Sequence, residues 1–372
     1  MKFSASQSSL HAALQTVAAV VPSKSPMPVL THILVSLNGN ALVLTGTDLE
    51  VSIETRLEVK GIKDGRALLP ARKLIELIQN FGDVIVTIEA SEAGRIKVTD
   101  QEGKNYELQA EGMANYPKVP SLESSDKFSF DRVRLERIIG KALFAVSRDE
   151  LRPQLTGAYL KIMPGEMRMV TTDGHRLVKI IVKQGSYAGD EREAIVPAKA
   201  LQAVQRMCSK GEGDAEILFG GNQLGFKVGN TTLITKLIEG RYPNYEAVIP
   251  AENKNLLTVD LEQMQLAVRR AAIVSNEISR QIRLKLKPEQ MEIQVEDIEQ
   301  SNSGQEVVPC TYQGEPMDIG YNAGYVLDML RQVDTNDVQF QLGTPTSAGI
   351  VKPTEQQKDE DLLMLIMPVR LN

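Results

Sequence analysis

The stretch Lys127-Phe128-Ser129-Phe130-Asp131 echoes Lys2-Phe3-Ser4-Ala5-Ser6 at an offset of 125 residues, and Leu257-Thr258-Val259-Asp260 is a looser third copy about 129 further on. In each copy a short apolar strand runs into a helix-capping residue: Ser6, Asp131 or Asp260. Gln263 stands at the capping-box position after Asp260. Apolar residues then recur at i, i+4, i+7 and i+8. The sets are Leu10, Leu14, Val17 and Ala18; Leu135, Ile139, Ala142 and Leu143; and Met264, Val268, Ala271 and Ala272. That spacing lies on one face of a 3.6-residue helix, so a helix is predicted in each copy.

Further out, Asn38-Gly39, Pro164-Gly165 and Pro288-Glu289 each separate two runs of alternating apolar and polar residues, the pattern of a hairpin. The second strand of each pair ends near an aspartate: Asp48, Asp173 or Asp297, spaced 125 and 124 apart. A second helix is opened by Pro70-Ala71-Arg72-Lys73, by Pro197-Ala198-Lys199 and by Asn322-Ala323-Gly324. One third of the 372-residue chain is 124, so these markers share one period. The pattern predicts an α+β fold of three repeated domains, each with two helices packed on antiparallel sheet of roughly eight short strands. Proline-bearing segments, Tyr116-Pro117…Pro120-Ser121 and Tyr242-Pro243…Pro250-Ala251, set the domains at 1–121, 122–252 and 253–372.

Hydrophobic residues at 42% and charged residues at 24% belong to a folded globular chain. The longest apolar run, 362–369, is eight residues with a proline inside it, against the roughly 20 of a membrane helix. Lys2 is the only early positive charge, and His11, Gln15 and Thr16 interrupt the apolar stretch that follows, so no signal peptide is expected. Two cysteines, Cys208 and Cys310, read as reduced thiols of a cytoplasmic protein. With three scattered histidines they make no pattern for a metal site, and no cofactor is expected.

The net charge of −6 speaks against nucleic acid as a partner, yet it is uneven: −1, +2 and −7 for the three domains in turn. Arg134, Arg137, Lys141 and Arg148 lie opposite the apolar face of the middle domain's first helix. Arg269 and Arg270 charge the matching helix of the third domain; Arg72, Lys73, Lys199 and Arg206 charge the second helices. A single such face is usually a solvated surface. Repeated on equivalent helices, it suits phosphate contacts, although the leading helix of the first domain lacks Lys and Arg. No aromatic residues are interleaved, so duplex backbone is the expected target rather than stacked bases.

Asp173, His175 and Arg176 would be the machinery of the alternative reading, an enzyme of the phosphodiesterase class. Asp173 occupies the place of Asp48 and Asp297, where no histidine follows, so a turn aspartate is the better account. There is no Walker A motif, GxSxG elbow or HExxH, and the glycine-rich segment 211–229 reads as hairpins. A triplicated scaffold without a DNA role is the third reading, and the Arg134, Arg137 and Lys141 face would be silent in it.

Six motifs in order carry a resemblance: Leu44-Thr-Gly-Thr-Asp-Leu-Glu50, Pro70-Ala-Arg-Lys73, Thr172-Asp-Gly-His-Arg-Leu177, Gly240-Arg-Tyr-Pro-Asn-Tyr245, Ala271-Ala-Ile-Val-Ser-Asn-Glu277 and Met367-Pro-Val-Arg-Leu371. Over its whole length the chain resembles the bacterial DNA polymerase III β subunits, the sliding clamps. The resemblance implies a head-to-tail homodimer, a six-domain ring with its helices around duplex DNA. It also implies a non-catalytic role in polymerase processivity, with docking of the clamp loader, polymerases and repair proteins.

By the same matching, the partner pocket between domains 2 and 3 would use Leu155, Thr172, Gly174, His175, Arg176, Leu177, Pro243, Val248, Met367, Pro368, Val369, Arg370 and Leu371. DNA contacts would come from Lys24, Arg72, Lys73, Arg148, Lys199, Asn322 and Tyr325. The dimer interface would join Tyr106 and Leu108 to Ile273 and Val274. Three departures stand out. Ala247 replaces a residue often basic in the family, the polar run 353–361 is expected to be a long flexible loop, and Asn372 extends past the usual terminal Arg-Leu.

Overall fold

A computed structural model describes residues 1–91, 94–122, 127–183, 187 and 189–371. Its α-helices are α1 (Gln7–Ala18), α2 (Ala71–Gln79), α3 (Arg132–Leu143), α4 (Ala198–Lys210), α5 (Leu261–Val274) and α6 (Ala323–Leu330). The leading helices start at the predicted caps. Ser6 Oγ accepts from Ser9 N at 3.3 Å, Asp131 Oδ1 from Arg134 N at 2.7 Å and Asp260 Oδ1 from Gln263 N at 2.8 Å. Each occupies an otherwise orphaned N–H of the first turn.

The buried stripes differ from the prediction in one consistent way. Leu10, Ala13, Leu14 and Val17 are buried in α1; Leu135, Ile138, Ile139 and Ala142 in α3; Met264, Ala267, Val268 and Ala271 in α5. Position i+3 is therefore inside, and Ala18, Leu143 and Ala272 at i+8 are only half-buried. At 100° per residue, i+3 and i+7 lie on one side of position i, and i+4 and i+8 on the other. The stripe is centred slightly towards the first pair.

The predicted turns join strands His32–Asn38 and Ala41–Thr47, Gly157–Met163 and Glu166–Thr172, and Gln281–Lys287 and Gln290–Asp297. Gly39 and Gly165 take φ of 57° and 78°, which these tight turns require and glycine adopts without steric penalty.

Two compact units form, Met1–Ile139 with Lys199–Leu237 and Gly140–Ala198 with Ile238–Asn372. The first unit holds a five-stranded sheet in the order Lys60–Lys63, Lys2–Ser6, Ile85–Ala90, Arg95–Asp100, Asn105–Gln109. Its second sheet has eight strands: Lys127–Phe130, Ala215–Phe219, Gln223–Val228 and Thr231–Lys236, then Val51–Glu58, Ala41–Thr47, His32–Asn38 and Gly65–Pro70. Thr231 stands opposite Thr55 and Thr235 opposite Val51, so this sheet runs through from one sequence repeat into the next.

The second unit repeats the device. Its nine-stranded sheet runs Arg192–Pro197, Gly157–Met163, Glu166–Thr172 and Arg176–Lys183, then Glu360–Ile366, Gly349–Pro353, Asp337–Leu342, Asn255–Asp260 and Thr311–Gln313. Arg176 stands opposite Ile366 and Val182 opposite Glu360 at this second seam. A four-stranded sheet follows, ordered Asn302–Pro309, Gln290–Asp297, Gln281–Lys287, Met317–Asn322. Helix α1 packs on α2 in the first unit, and α5 on α6 in the second.

Of the run 353–361, residues 354–359 form the expected loop. Pro353 ends one strand, and Glu360 and Asp361 begin the next. Between them the Gln356 side chain donates to Leu362 O at 3.0 Å and accepts from Leu362 N at 2.9 Å, as a strand neighbour would. Lys183 N also donates to Asp359 O at 2.8 Å. Among the described residues no helix is long and apolar enough to cross a membrane.

Candidate functional site

Most of the pocket candidates lie on or beside the strands of the second seam. Strand Glu166–Thr172 turns back through 173–175, and the Asp173 carboxylate builds the turn: Oδ1 accepts from His175 N at 2.9 Å and Arg176 N at 3.0 Å. Gly174 takes φ of 94° between them. This is the local backbone bonding that favours aspartate in turns, and it occupies the carboxylate that a hydrolase would need. Thr172 Oγ1 closes the loop by donating to Arg176 O at 2.7 Å.

The chain's tail lies over this turn. Met367 N donates to His175 O at 2.8 Å, and Val369 N to Gly320 O at 2.9 Å. The floor beneath is an apolar cluster of Leu155, Val170, Leu177, Ile195, Tyr242, Ile350, Leu363 and Leu365. Tyr159 stacks on Tyr242 with ring centroids 5.3 Å apart. Pro243 and Val248 are exposed on a segment anchored to the same cluster by Tyr242, Tyr245 and Ile249. Ala247, beside Val248, is exposed too; Asn372 lies outside the described residues. Of the pocket candidates, Leu155 and Leu177 are buried in this cluster and the segment bearing Pro243 and Val248 packs against it, while His175, Met367 and Arg370 are exposed. Such a surface suits an extended peptide with apolar side chains.

Arg176 has a different setting from its neighbours. Nε donates to Asp173 Oδ2 at 3.0 Å, Nη1 to Asp328 Oδ2 at 2.7 Å and Nη2 to Phe144 O at 2.8 Å. Its Cζ lies 4.5 Å from the Tyr325 ring centroid and 5.2 Å from that of Phe144. Tyr325, matched in sequence to a DNA contact, is therefore packed with two of the pocket candidates, against Arg176 and 6.1 Å ring to ring from His175. Asn322 caps α6 by accepting from Tyr325 N at 3.2 Å and donates to Ser279 O at 3.0 Å. Asp328 was missed in the sequence. Its only signal there is an acidic residue three before Arg331 on a short helix, and Arg331 Nη1 does reach Asp328 Oδ1 at 3.1 Å.

The other cationic candidates are exposed: Lys24, Arg72, Lys73, Arg148 and Lys199. Arg72 Nε donates to Glu76 at 2.9 Å, and Lys199 pairs with Asp48 across the first seam. Lys141 departs from the expectation of a free basic face on α3. Its side chain is 11% exposed, and Nζ donates to Gln332 O at 2.8 Å and pairs with Asp334. That ammonium is taken up by neighbouring acceptors, so α3 presents less free charge than its wheel suggests. Of the interface candidates, Tyr106 is exposed with its ring edge-on to Phe81 at 5.8 Å, and Leu108 is half-buried. Ile273 is 78% exposed at the end of α5, beside half-buried Val274.

Three family models of the DNA polymerase III beta subunit match in order: the N-terminal domain over residues 1–120, the central domain over 130–244 and the C-terminal domain over 246–370. The chain belongs to the DNA polymerase III beta subunit family. The beta sliding clamp of Pseudomonas aeruginosa is 32% identical, with 100% of both chains aligned. That of Synechococcus elongatus is 30% identical, again over 100% of both. The crystal structure of the DNA polymerase III subunit beta from Pseudomonas aeruginosa superposes with a TM-score of 0.93 over 100% of both chains at 32% identity. A sliding clamp from Bartonella birtlesii bound to griselimycin gives 0.94 at 25% identity, also over 100% of both. As a family member the chain is a sliding clamp of DNA polymerase III, an α+β processivity subunit and not itself an enzyme.

Proposed function

We propose that two copies of the chain close head to tail into a ring around duplex DNA and tether the replicative polymerase to it. One observation carries this reading: two seams are made within the chain, and the strands for a third are left open. Strand Thr231–Lys236 pairs with Val51–Glu58 at the first seam, and Glu360–Ile366 with Arg176–Lys183 at the second. The strands equivalent by repeat position are Asn105–Gln109 and Asn302–Pro309, and each is the edge of its sheet. An unpaired edge is a template for another strand. The opposite edges are less available: Lys60–Lys63 carries two lysines, and Gly320 of Met317–Asn322 bridges to Val369. A second copy would supply the missing strand at each end, and a heterologous contact that closes after two subunits makes a ring. Tyr106, Leu108, Ile273 and Val274 would form its apolar seam.

In this reading the domains are 1–121, 122–252 and 253–372, a division supported by the three successive family models. Residence on DNA is topological, so contacts can be weak. Lys24, Arg72, Lys73, Arg148, Lys199, Asn322 and Tyr325 contact the DNA without reading its sequence. The pocket of Leu155, Thr172, Gly174, His175, Arg176, Leu177, Pro243, Val248 and Met367 to Leu371 docks apolar peptide segments of the clamp loader, polymerases and repair proteins. Thiols at Cys208 and Cys310 are free, which supports a reducing cytoplasmic setting.

The test is retention on DNA. The protein is loaded onto nicked circular plasmid with its cognate loader and ATP, isolated by gel filtration, and the circle is then cut once. A ring stays on the circle and is lost from the linear form. Equal, salt-sensitive binding to both forms would make it an ordinary basic-face binder and sink the proposal.

A further inference from the structure

We infer that Tyr106 of one copy lies directly across the open edge from Gly304 of the partner subunit, a large-to-small pair that fixes the register of the third seam. This deepens the ring reading and rests on it. The register follows from the two seams made within the chain. Phe3, Phe128 and Leu257 each stand three residues before a leading-helix cap. Three steps across the strand ladders lead from them to Tyr106, Leu233 and Met364, which are therefore equivalent. Ala67, Ala194 and Ile319 each stand three residues before a second-helix opening. Three steps from these lead to Thr55, Ile180 and Glu306. Two positions back along the same strands are Ile53, Val178 and Gly304. Within the chain Ile53 opposes Leu233, and Val178 opposes Met364. The same step at the third seam sets Gly304 opposite Tyr106 and Glu306 opposite Lys104.

The two inner seams fill this position with large or branched apolar side chains, all wholly buried. At the third seam the volume is moved to one side. Gly304 carries no side chain, and a β-carbon there would stand 3.2 Å from Val295 Cγ1 and 3.4 Å from Val274 Cγ2. The edge strand therefore has a notch walled by two valines. Tyr106 is 46% exposed, with its ring held edge-on by Phe81. An aromatic ring across from an edge glycine covers the bare backbone and supplies the missing volume. A slip of two residues would instead set the ring against Asn302 or the Glu306 carboxylate, and a slip of one would turn it to the other face. The charges favour the same register. Lys104 engages Asp100 and Glu102, and Glu306 engages Arg270, so a cation stands opposite a carboxylate at the next inward-facing position.

The experiment uses the full chain. Glu107 and Ser303 are exposed, and in this register they oppose each other on the outer face of the joined strands. Directly opposed residues have Cα atoms about 4.5–5.5 Å apart, within reach of a disulfide. Under mild oxidation the Glu107→Cys, Ser303→Cys variant should form a covalent two-chain species on a non-reducing gel. Glu107→Cys with Gln305→Cys, two residues out of step, should cross-link at least about fivefold more slowly; each introduced cysteine alone is the control for the native thiols. The reverse order of rates would overturn the inference while leaving the ring standing. Sedimentation gives a second reading. Gly304→Ile fills the notch and should raise the dimer's dissociation constant about tenfold or more. Adding Tyr106→Leu recreates the Leu233 and Ile53 pair of the first seam and should recover most of that loss. Weakening that is merely additive in the double variant would show that the two positions do not meet, and would also overturn it. A wild type that stays one chain at every concentration would sink the ring reading itself.

Discussion

The hydroxyls of Thr55 and Thr231 lie 2.8 Å apart although 176 positions separate them along the chain. They face each other across the first seam, in a register that also sets Ile53 opposite Leu233, both wholly buried. A slip of one residue would turn that apolar pair to the other face of the sheet, so the register is held by burial as well as by hydrogen bonds.

The open edges should answer to charge. Ile273→Glu places a carboxylate on a side chain that is 78% exposed in the single chain and would be desolvated in the dimer. Sedimentation is expected to show a shift from two-chain to one-chain mass with the melting temperature of the single chain unchanged. A dimer of undiminished stability would remove Ile273 from the interface.

Neutralising exposed cations should weaken DNA binding through salt dependence. Lys73→Ala and Arg148→Ala should each lower the slope of log affinity against log salt by about 0.9, since one phosphate contact releases about one counterion. Lys199→Ala should do less, because Asp48 already engages that ammonium. Fluorescence anisotropy on a labelled duplex decides it; equal slopes for all variants would show that none touches phosphate.

The two seams carry lysines of unequal weight. Lys141→Met strips a nearly buried ammonium from Gln332 O and Asp334, and is expected to cost about 1–3 kcal/mol of stability. Lys199→Met breaks a pair whose lysine is half exposed, and should cost less than about 1 kcal/mol. Urea melts of the two variants give the order directly, and a reversed order would contradict the burial argument.

Alkaline pH should destabilise the fold. Burial pushes the Cys208 thiol up to about 12, and the Tyr116 hydroxyl likewise to about 12. Above their ordinary values the unfolded chain loses these protons while the folded chain keeps them, so stability falls as pH rises towards 12. Cys208→Ala should flatten that decline, as read from melting temperatures at pH 9 to 11. Iodoacetamide should label the half-buried Cys310 before Cys208 in the native protein, and label both once it is unfolded.

What could be read from the sequence was whatever is local. Ser6, Asp131 and Asp260 cap helices where they stand, and the three hairpin turns fall where glycine and proline put them. The cost of each choice is settled within a few residues. Pairing of Val51–Glu58 with Thr231–Lys236 is not local, and two strands of similar alternation could pair with many others. Lys141 shows the same limit in a side chain. Its helix wheel places it with the basic residues, but Gln332 and Asp334, nearly 200 positions on, decide that it is buried. The pocket candidates rest on family likeness, and the sequence does not show the setting of Arg176, since Phe144, Tyr325 and Asp328 have no pattern that links them to it.

The eight-stranded sheet takes four strands from each side of the proposed 121/122 boundary. A gene divided at that point would therefore encode two fragments, each ending in a raw sheet edge cut to the other's register. Mixed together, they should find one another and mend the break, so the joint between repeats behaves as an assembly element in its own right.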